Sequence, residues 1–227
     1  MTRMAIFLRP NRATRFVVAL SLVVLMHPGT GQAQTTDITS SGLGTAISSN
    51  GTTTFIDGGT RPETGGVQPN LFHSFGNFSV GAGDTALFRN LDATGAGGFS
   101  GTTDNIFGRV TGGNVSNIFG KIDTVTGFPE ANFWLINPAG VVFGPNASLN
   151  VGGDINIAVA DYLKHTGGSQ FFADPLQPIT LSIDPIQSFG FLKSPTGPLA
   201  LQGTRLSRLG PLNSVINLVG GDISITP

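Results

Sequence analysis

The chain has no cysteine among its 227 residues. That excludes disulfides, Cys-ligated zinc and thiol nucleophiles. Charge is scarce as well: Asp, Glu, Lys and Arg make up 11%, against roughly 25% in an average soluble chain. A coiled coil, which needs those residues in quantity, is excluded. The hydrophobic share of 39% argues against disorder. One Trp and one Tyr stand beside 17 Phe. No acidic residue precedes Asp37, while four of the 12 basic residues (Arg3, Arg9, Arg12, Arg15) fall in the first fifteen positions. Without that segment 8 basic and 13 acidic residues remain, a net charge of −5. A mildly acidic chain has no electrostatic footprint for nucleic acid.

The N-terminus reads as an export signal. The Arg-bearing residues 3–15 are followed by the uncharged stretch Phe16–Met26 and then by His27-Pro28-Gly29. Gly31 and Ala33 supply small residues at the −3 and −1 positions of a cleavage site. Positive, apolar and small-residue parts in that order are the secretory pattern. The apolar run is short for a transmembrane helix of about 20 residues. Residues 1–33 are therefore expected to be a signal peptide cut between Ala33 and Gln34, with no membrane span afterwards. An N-terminal buried helix or an uncleaved anchor is the alternative.

What remains is rich in Gly, Thr, Ser, Asn, Val and Ile, which suit strands and tight turns. Short strand candidates (132–137, 141–143, 147–151, 154–160) are separated by Pro-Ala-Gly, Gly-Pro-Asn and Gly-Gly. In the last of them Ile155, Ile157 and Val159 alternate with Asp154, Asn156 and Ala158, giving one apolar face. No amphipathic helix interleaves, so a doubly wound α/β fold is excluded. Residues 161–175 read as a loop or a single helical turn, and 92–104 as irregular. Asn105–Arg109 recurs twelve residues later as Asn117–Lys121, and Gly152–Ile157 recurs as Gly220–Ile225. Such echoes point to degenerate rungs of a β-solenoid. A sandwich or jelly roll is the alternative. The expected core includes Ile136, Val142, Leu149, Ile155, Ile157, Val159 and Ile223, with Phe72, Phe75 and Phe78 anchoring the N-terminal part.

Most chemistry fails on inspection. Gly120-Lys121 lacks the P-loop's first Gly, where Val115 stands, and its Ser/Thr, where Ile122 stands. Only His73 and His165 follow the signal, and neither forms a metal-ligand spacing. No Gly-x-Ser-x-Gly elbow exists. Acidic residues are scattered singly rather than clustered for sugar chemistry. No catalytic residue, metal or cofactor is expected, and the reading is of a protein that is not an enzyme.

The most informative segment is 132–153. Asn137-Pro138-Ala139-Gly140 fits a type I turn: Asn bonds backbone two residues on, Pro presets the second dihedral, and Gly suits the fourth position. Gly144-Pro145-Asn146 makes a second turn. Two turns flanking Val141-Val142-Phe143 fold the chain sharply twice, as a solenoid corner does. Asn137 and Asn146 are expected to cap corner backbone groups.

Here the residues also resemble a known family. Ile136–Gly144 resembles the Asn-Pro-Asn-Gly-Ile motif of the filamentous haemagglutinin N-terminal domain, the secretion (TPS) domain of two-partner secretion passengers. Asn70-Leu71-Phe72-His73-Ser74-Phe75-Gly76-Asn77-Phe78-Ser79-Val80 resembles that family's His-x-x-Phe-x-x-Phe-x-Val segment. Residues 56–62, 109–122 and 218–225 resemble further stretches in the same order. Two departures stand out: Ala139 replaces the motif's second Asn, and the Asn-Pro-Asn-Leu motif of some members is missing. The resemblance implies a right-handed parallel β-helix with extra-helical β elements over residues 34–227, its last rung cut short. It also implies a secretion module of an adhesin or haemagglutinin-like exoprotein in Gram-negative bacteria. The partner is then an outer-membrane β-barrel transporter with POTRA domains, and a host or cell-surface receptor or glycan is a further partner. The module would cross the periplasm and end secreted or at the cell surface. A β-solenoid carbohydrate-active enzyme and a stand-alone structural solenoid remain the competing readings.

Overall fold

The computed structural model of the chain describes residues 34–63, 68–194, 197–204, 207–208 and 214–227. Residues 1–33, read above as a signal peptide, lie outside the described residues. Residues Gln32–Pro227 form one compact unit, and the description concerns that unit. Among the described residues there is no helix.

The chain opens with β1 (Asp37–Gly42), β2 (Thr45–Asn50) and β3 (Thr53–Gly58), followed by β4 (Asn70–Ser79) and β5 (Thr85–Phe88). Regular coiling then sets in. The strands β6 (Asn105–Val110), β7 (Ser116–Ile118) and β8 (Lys121–Asp123) make one turn, and β9 (Asn132–Ile136), β10 (Val141–Phe143) and β11 (Ser148–Asn150) make the next. After β12 (Ile155–Ala158) comes an excursion: β13 (Tyr162–His165), β14 (Gln170–Phe172) and β15 (Ile186–Gly190). Coiling resumes with β16 (Leu199–Gln202), β17 (Ser207–Arg208), β18 (Ile216–Val219) and β19 (Ile223–Thr226).

Three sheets form the walls. The first runs β1-β4-β6-β9-β12-β18, the second β19-β16-β10-β7, and the third β17-β11-β8-β5-β3-β2. Successive strands visit them in the order first, second, third, and nearly all pairs are parallel. This is an all-β parallel β-helix. The exceptions sit at the N-terminal end, where β1 lies antiparallel to β4 and β2 antiparallel to β3. These strands close that end of the stack, where a bare parallel edge would otherwise invite pairing.

The register explains the interior. Leu71, Ile106, Phe133, Ile155 and Ile216 lie side by side across the first sheet. With Phe75, Phe78, Phe88, Val141, Phe143 and Leu149 they make the main core. Along the strands inward residues alternate with outward ones, and in β4 a register irregularity between Phe75 and Phe78 lets both face inward. Rung lengths are irregular. Aligned positions Asn70, Asn105, Asn132 and Asp154 are 35, 27 and 22 residues apart, and Asn156 and Asn217 are 61 apart.

That irregularity corrects the internal echoes. Asn105 lies in the first sheet but Asn117 in the second; Ile155 lies in the first and pairs with Ile216, whereas Ile223 lies in the second and pairs with Leu199. The echoes mark similar corners on different walls, not equivalent rungs. Six of the seven expected aliphatic core residues are buried, and Ile223 is the one correction. Ile136 is fully buried, but on the outer face of the first sheet, in a second cluster with Phe72, Phe107, Leu163 and Phe171. Val142 points outward on the second sheet and belongs to neither cluster. Ile223 is 46% exposed, because β19 is the edge strand of the second sheet among the described residues.

Residues 161–175 are neither loop nor helical turn. They hold β13 and β14, which with β15 form an antiparallel extra-helical sheet in the order β14-β13-β15. This cover packs on the outer face of the first sheet. Phe171 meets Phe72 edge-on at 5.0 Å, and Phe189 lies 5.9 Å from Trp134. All four residues of β12 are consequently buried, although its pattern shows only one apolar face.

Candidate functional site

The Asn137–Gly140 turn stands where the first wall meets the second. The backbone N–H of Gly140 donates to the carbonyl of Asn137 at 3.0 Å, closing the turn. The Asn137 side chain bonds in three directions. Its Oδ1 accepts from the Ala139 N–H at 3.0 Å, and its Nδ2 donates to the Asn114 carbonyl and to Ser116 Oγ, both at 2.9 Å. Asn137 is 1% exposed. The amide therefore ties its own corner to the corner of the preceding rung. Pro138 and Ala139 are half-buried. Gly140 has φ +122°, and a Cβ there would come within 2.5 Å of Pro198. Glycine is required both by conformation and by the close approach of the next rung. By contrast, Asn146 is exposed and its side chain makes no hydrogen bond among the described residues, so only one of the two turns is capped by an amide.

The segment Asn70–Phe78 forms most of β4. Its side chains divide between the two faces, and all five singled out by the sequence are buried. Phe75 and Phe78 point into the helix interior, their rings tilted against each other at 4.8 Å. Phe72 points outward and stacks on Phe107 at 4.7 Å beneath the cover. Asn70 begins an amide ladder. Asn105 donates to Asn70 Oδ1 at 2.9 Å, Asn132 to Asn105 Oδ1 at 3.0 Å, and the Asp154 N–H to Asn132 Oδ1 at 2.7 Å. Asn70 itself donates to the Ser182 carbonyl at 2.8 Å, fastening the cover excursion.

His73 faces the interior, between Phe75 and Phe88, with Thr45 Oγ1 3.2 Å from Nδ1. Burial, and secondarily the Arg61 charge, pushes its imidazole down to about 3, so it is neutral at pH 7. The structure does not gather the two motifs into one site. They share the first sheet, where Phe75 pairs with Val110 and Arg109 with Ile136, two strands apart. Gln34 is half-buried, and Ala33 lies outside the described residues.

Arg109 was not legible from sequence. It is 5% exposed. Its Nε donates to Ser74 Oγ and its Nη1 to the Phe172 carbonyl, both at 2.8 Å, with the Phe171 ring 5.4 Å away. Burial lowers its guanidinium below the usual range, partly offset by Asp174. It pins the cover to the solenoid, and its only sequence signal is a cation within a strand. Between cover and turn lies a cleft of about 360 Å³, lined by Thr111, Pro138, Ala139, Asp174, Leu192 and Lys193 among others. Among the described residues no group of His, Asp and Glu is placed to hold a metal.

Three parallel walls, corners tied by a buried amide and an antiparallel cover over one wall define a decorated parallel β-helix. The two motifs singled out by the sequence are spent on scaffold contacts rather than on a reactive cluster. The chain belongs to the TPS secretion domain family, whose model matches residues 32–227. The family is one of secretion modules rather than enzymes, so membership implies a secreted two-partner passenger that meets an outer-membrane transporter. No curated protein matches the chain.

Proposed function

We propose that this chain is the export-directing module of an adhesin-like exoprotein in a Gram-negative bacterium. Residues 1–33 direct it to the periplasm and are removed before Gln34. The POTRA domains of an outer-membrane β-barrel then recognise it, and it folds into the β-helix beyond the barrel. The family match over 32–227 carries this reading. A cysteine-free sequence agrees with it, because a disulfide formed in the oxidising periplasm would obstruct threading. The turn at Asn137 acts first as a structural tie and only secondarily in export, since its amide is buried and fully engaged.

The test is co-expression with a candidate barrel, with secreted protein measured in the medium and its first residue sequenced. Secreted chain beginning at or within a few residues of Gln34, and lost when the barrel is deleted, is expected. Secretion that persists without the barrel, or a mature chain beginning at Met1, would overturn the reading.

A further inference from the structure

We propose that the connection between β5 and β6 forms a binding cleft for a neutral oligosaccharide, with Phe99 as its stacking platform. This rests on the cleft's own geometry and not on the export reading. Two hollows of about 460 and 510 Å³ lie where this connection meets the β3–β4 and β8–β9 connections, and they share Asn90, Phe99 and Phe128. That is the size range of small-molecule sites. Phe99 stands between them, and its position is built rather than incidental. The Asn90 side chain grips its backbone twice, Nδ2 donating to the Phe99 carbonyl at 2.8 Å and Oδ1 accepting from the Phe99 N–H at 3.0 Å. At the ring's tip, a Cβ on Gly101 would lie 2.6 Å from Cζ. Any other residue at 101 would displace the ring.

One flank of Phe99 is taken by Arg61. Its guanidinium sits 4.4 Å from the ring centroid and is braced by the Gln68 carbonyl at 3.1 Å and Thr103 Oγ1 at 2.9 Å. The second hollow holds Asp104 and Glu130. Both are exposed, and neither carboxylate accepts a hydrogen bond among the described residues. A ring fixed at the loop surface beside unsatisfied acceptors matches a pyranose. Its C–H face covers an aromatic ring while its hydroxyls donate to carboxylates. Charge selects against acidic sugars: Asp92, Asp104 and Glu130 outnumber Arg61, whose donors already serve two acceptors. Two hollows on either side of one ring suit several linked sugars better than one.

The experiment is isothermal titration of the purified chain with cellohexaose, maltohexaose and chitohexaose, with hexagalacturonate as the anionic comparison. Saturable binding of at least one neutral hexamer is expected. Phe99→Ala should weaken it tenfold or more, and Asp104→Asn combined with Glu130→Gln severalfold without moving the melting temperature. If Phe99→Ala loses the native circular dichroism, the exposed carboxylate pair decides. No saturable neutral binding, affinity unchanged in the variants, or tighter binding of hexagalacturonate would each overturn the proposal.

Discussion

Replacing Asn137 with Ala removes three hydrogen bonds at once: to the Ala139 N–H, the Asn114 carbonyl and Ser116 Oγ. A single turn bond alone would be worth about 0.5–1.5 kcal/mol. Here the amide also joins two rungs, and Ser116 is fully buried, so its hydroxyl loses a partner where water does not replace it. A loss of about 2–4 kcal/mol follows from three bonds of that size with one buried group stranded. With a urea slope of roughly 2 kcal/mol/M, the midpoint should fall by about 1–2 M. Trp134 is the only tryptophan. It packs between Phe107 and Phe189 and donates to Asn105 Oδ1 at 3.1 Å. Its fluorescence therefore reports separation of cover and wall as well as unfolding. Secretion with the cognate barrel should fall in step with the midpoint. A midpoint unchanged within about 0.2 M would refute the structural argument. Export abolished at that unchanged midpoint would make Asn137 a direct transporter contact.

Phe75→Ala empties a fully buried site beside Phe78 and Phe88 and should cost about 3–5 kcal/mol in chemical denaturation. Gly140→Val forces a side chain into φ +122° and onto Pro198; it should cost about 2 kcal/mol or more, read by thermal unfolding. His73 titrates near 3 in the fold against its ordinary 6.5, so the unfolded chain binds the extra proton between those values. Its contribution to stability is full above about pH 6.5 and is lost as pH falls toward 3, by at most about 1.4 kcal/mol per unit; the pH slope of the urea midpoint should flatten in His73→Leu. Arg109→Met should loosen the cover selectively. Amide exchange should speed up in β13 and β14 while Leu135 and Ile157 stay protected, and uniform exchange across both regions would count against the strut.

The corner sequence between residues 132 and 158 was readable because each strand is bounded by residues with a local reason to turn. β9, β10, β11 and β12 fall within the stretches marked out by Pro-Ala-Gly, Gly-Pro-Asn and Gly-Gly. The family resemblance implied extra-helical β elements, but where the chain would form the cover was not readable. Tyr162–His165 alternates Tyr, Leu, Lys and His, and Gln170–Phe172 is three residues long; such pieces become strands only through each other and the wall beneath. The same hidden partner explains why Ile136 is buried in the second cluster rather than the main one, since nothing local says that a strand's outer face is roofed. Arg109 escaped for the same reason: its acceptors, Ser74 and Phe172, lie 35 and 63 residues away in the chain. Ile223 was misplaced by trusting a Gly-Gly-Asp echo over rung count.

The unequal rungs have a mechanical consequence. Aligned positions 27, 22 and 61 residues apart hold their neighbours along the stack. A chain pulled from the β19 end would thus yield in steps of different length. At about 3.4 Å per extended residue, a 22-residue coil releases roughly 75 Å and the 61-residue one, with the cover inside it, roughly 200 Å. The longest slack would come first, so the protein would behave under tension as a graded tether whose largest single release precedes the loading of its inner coils.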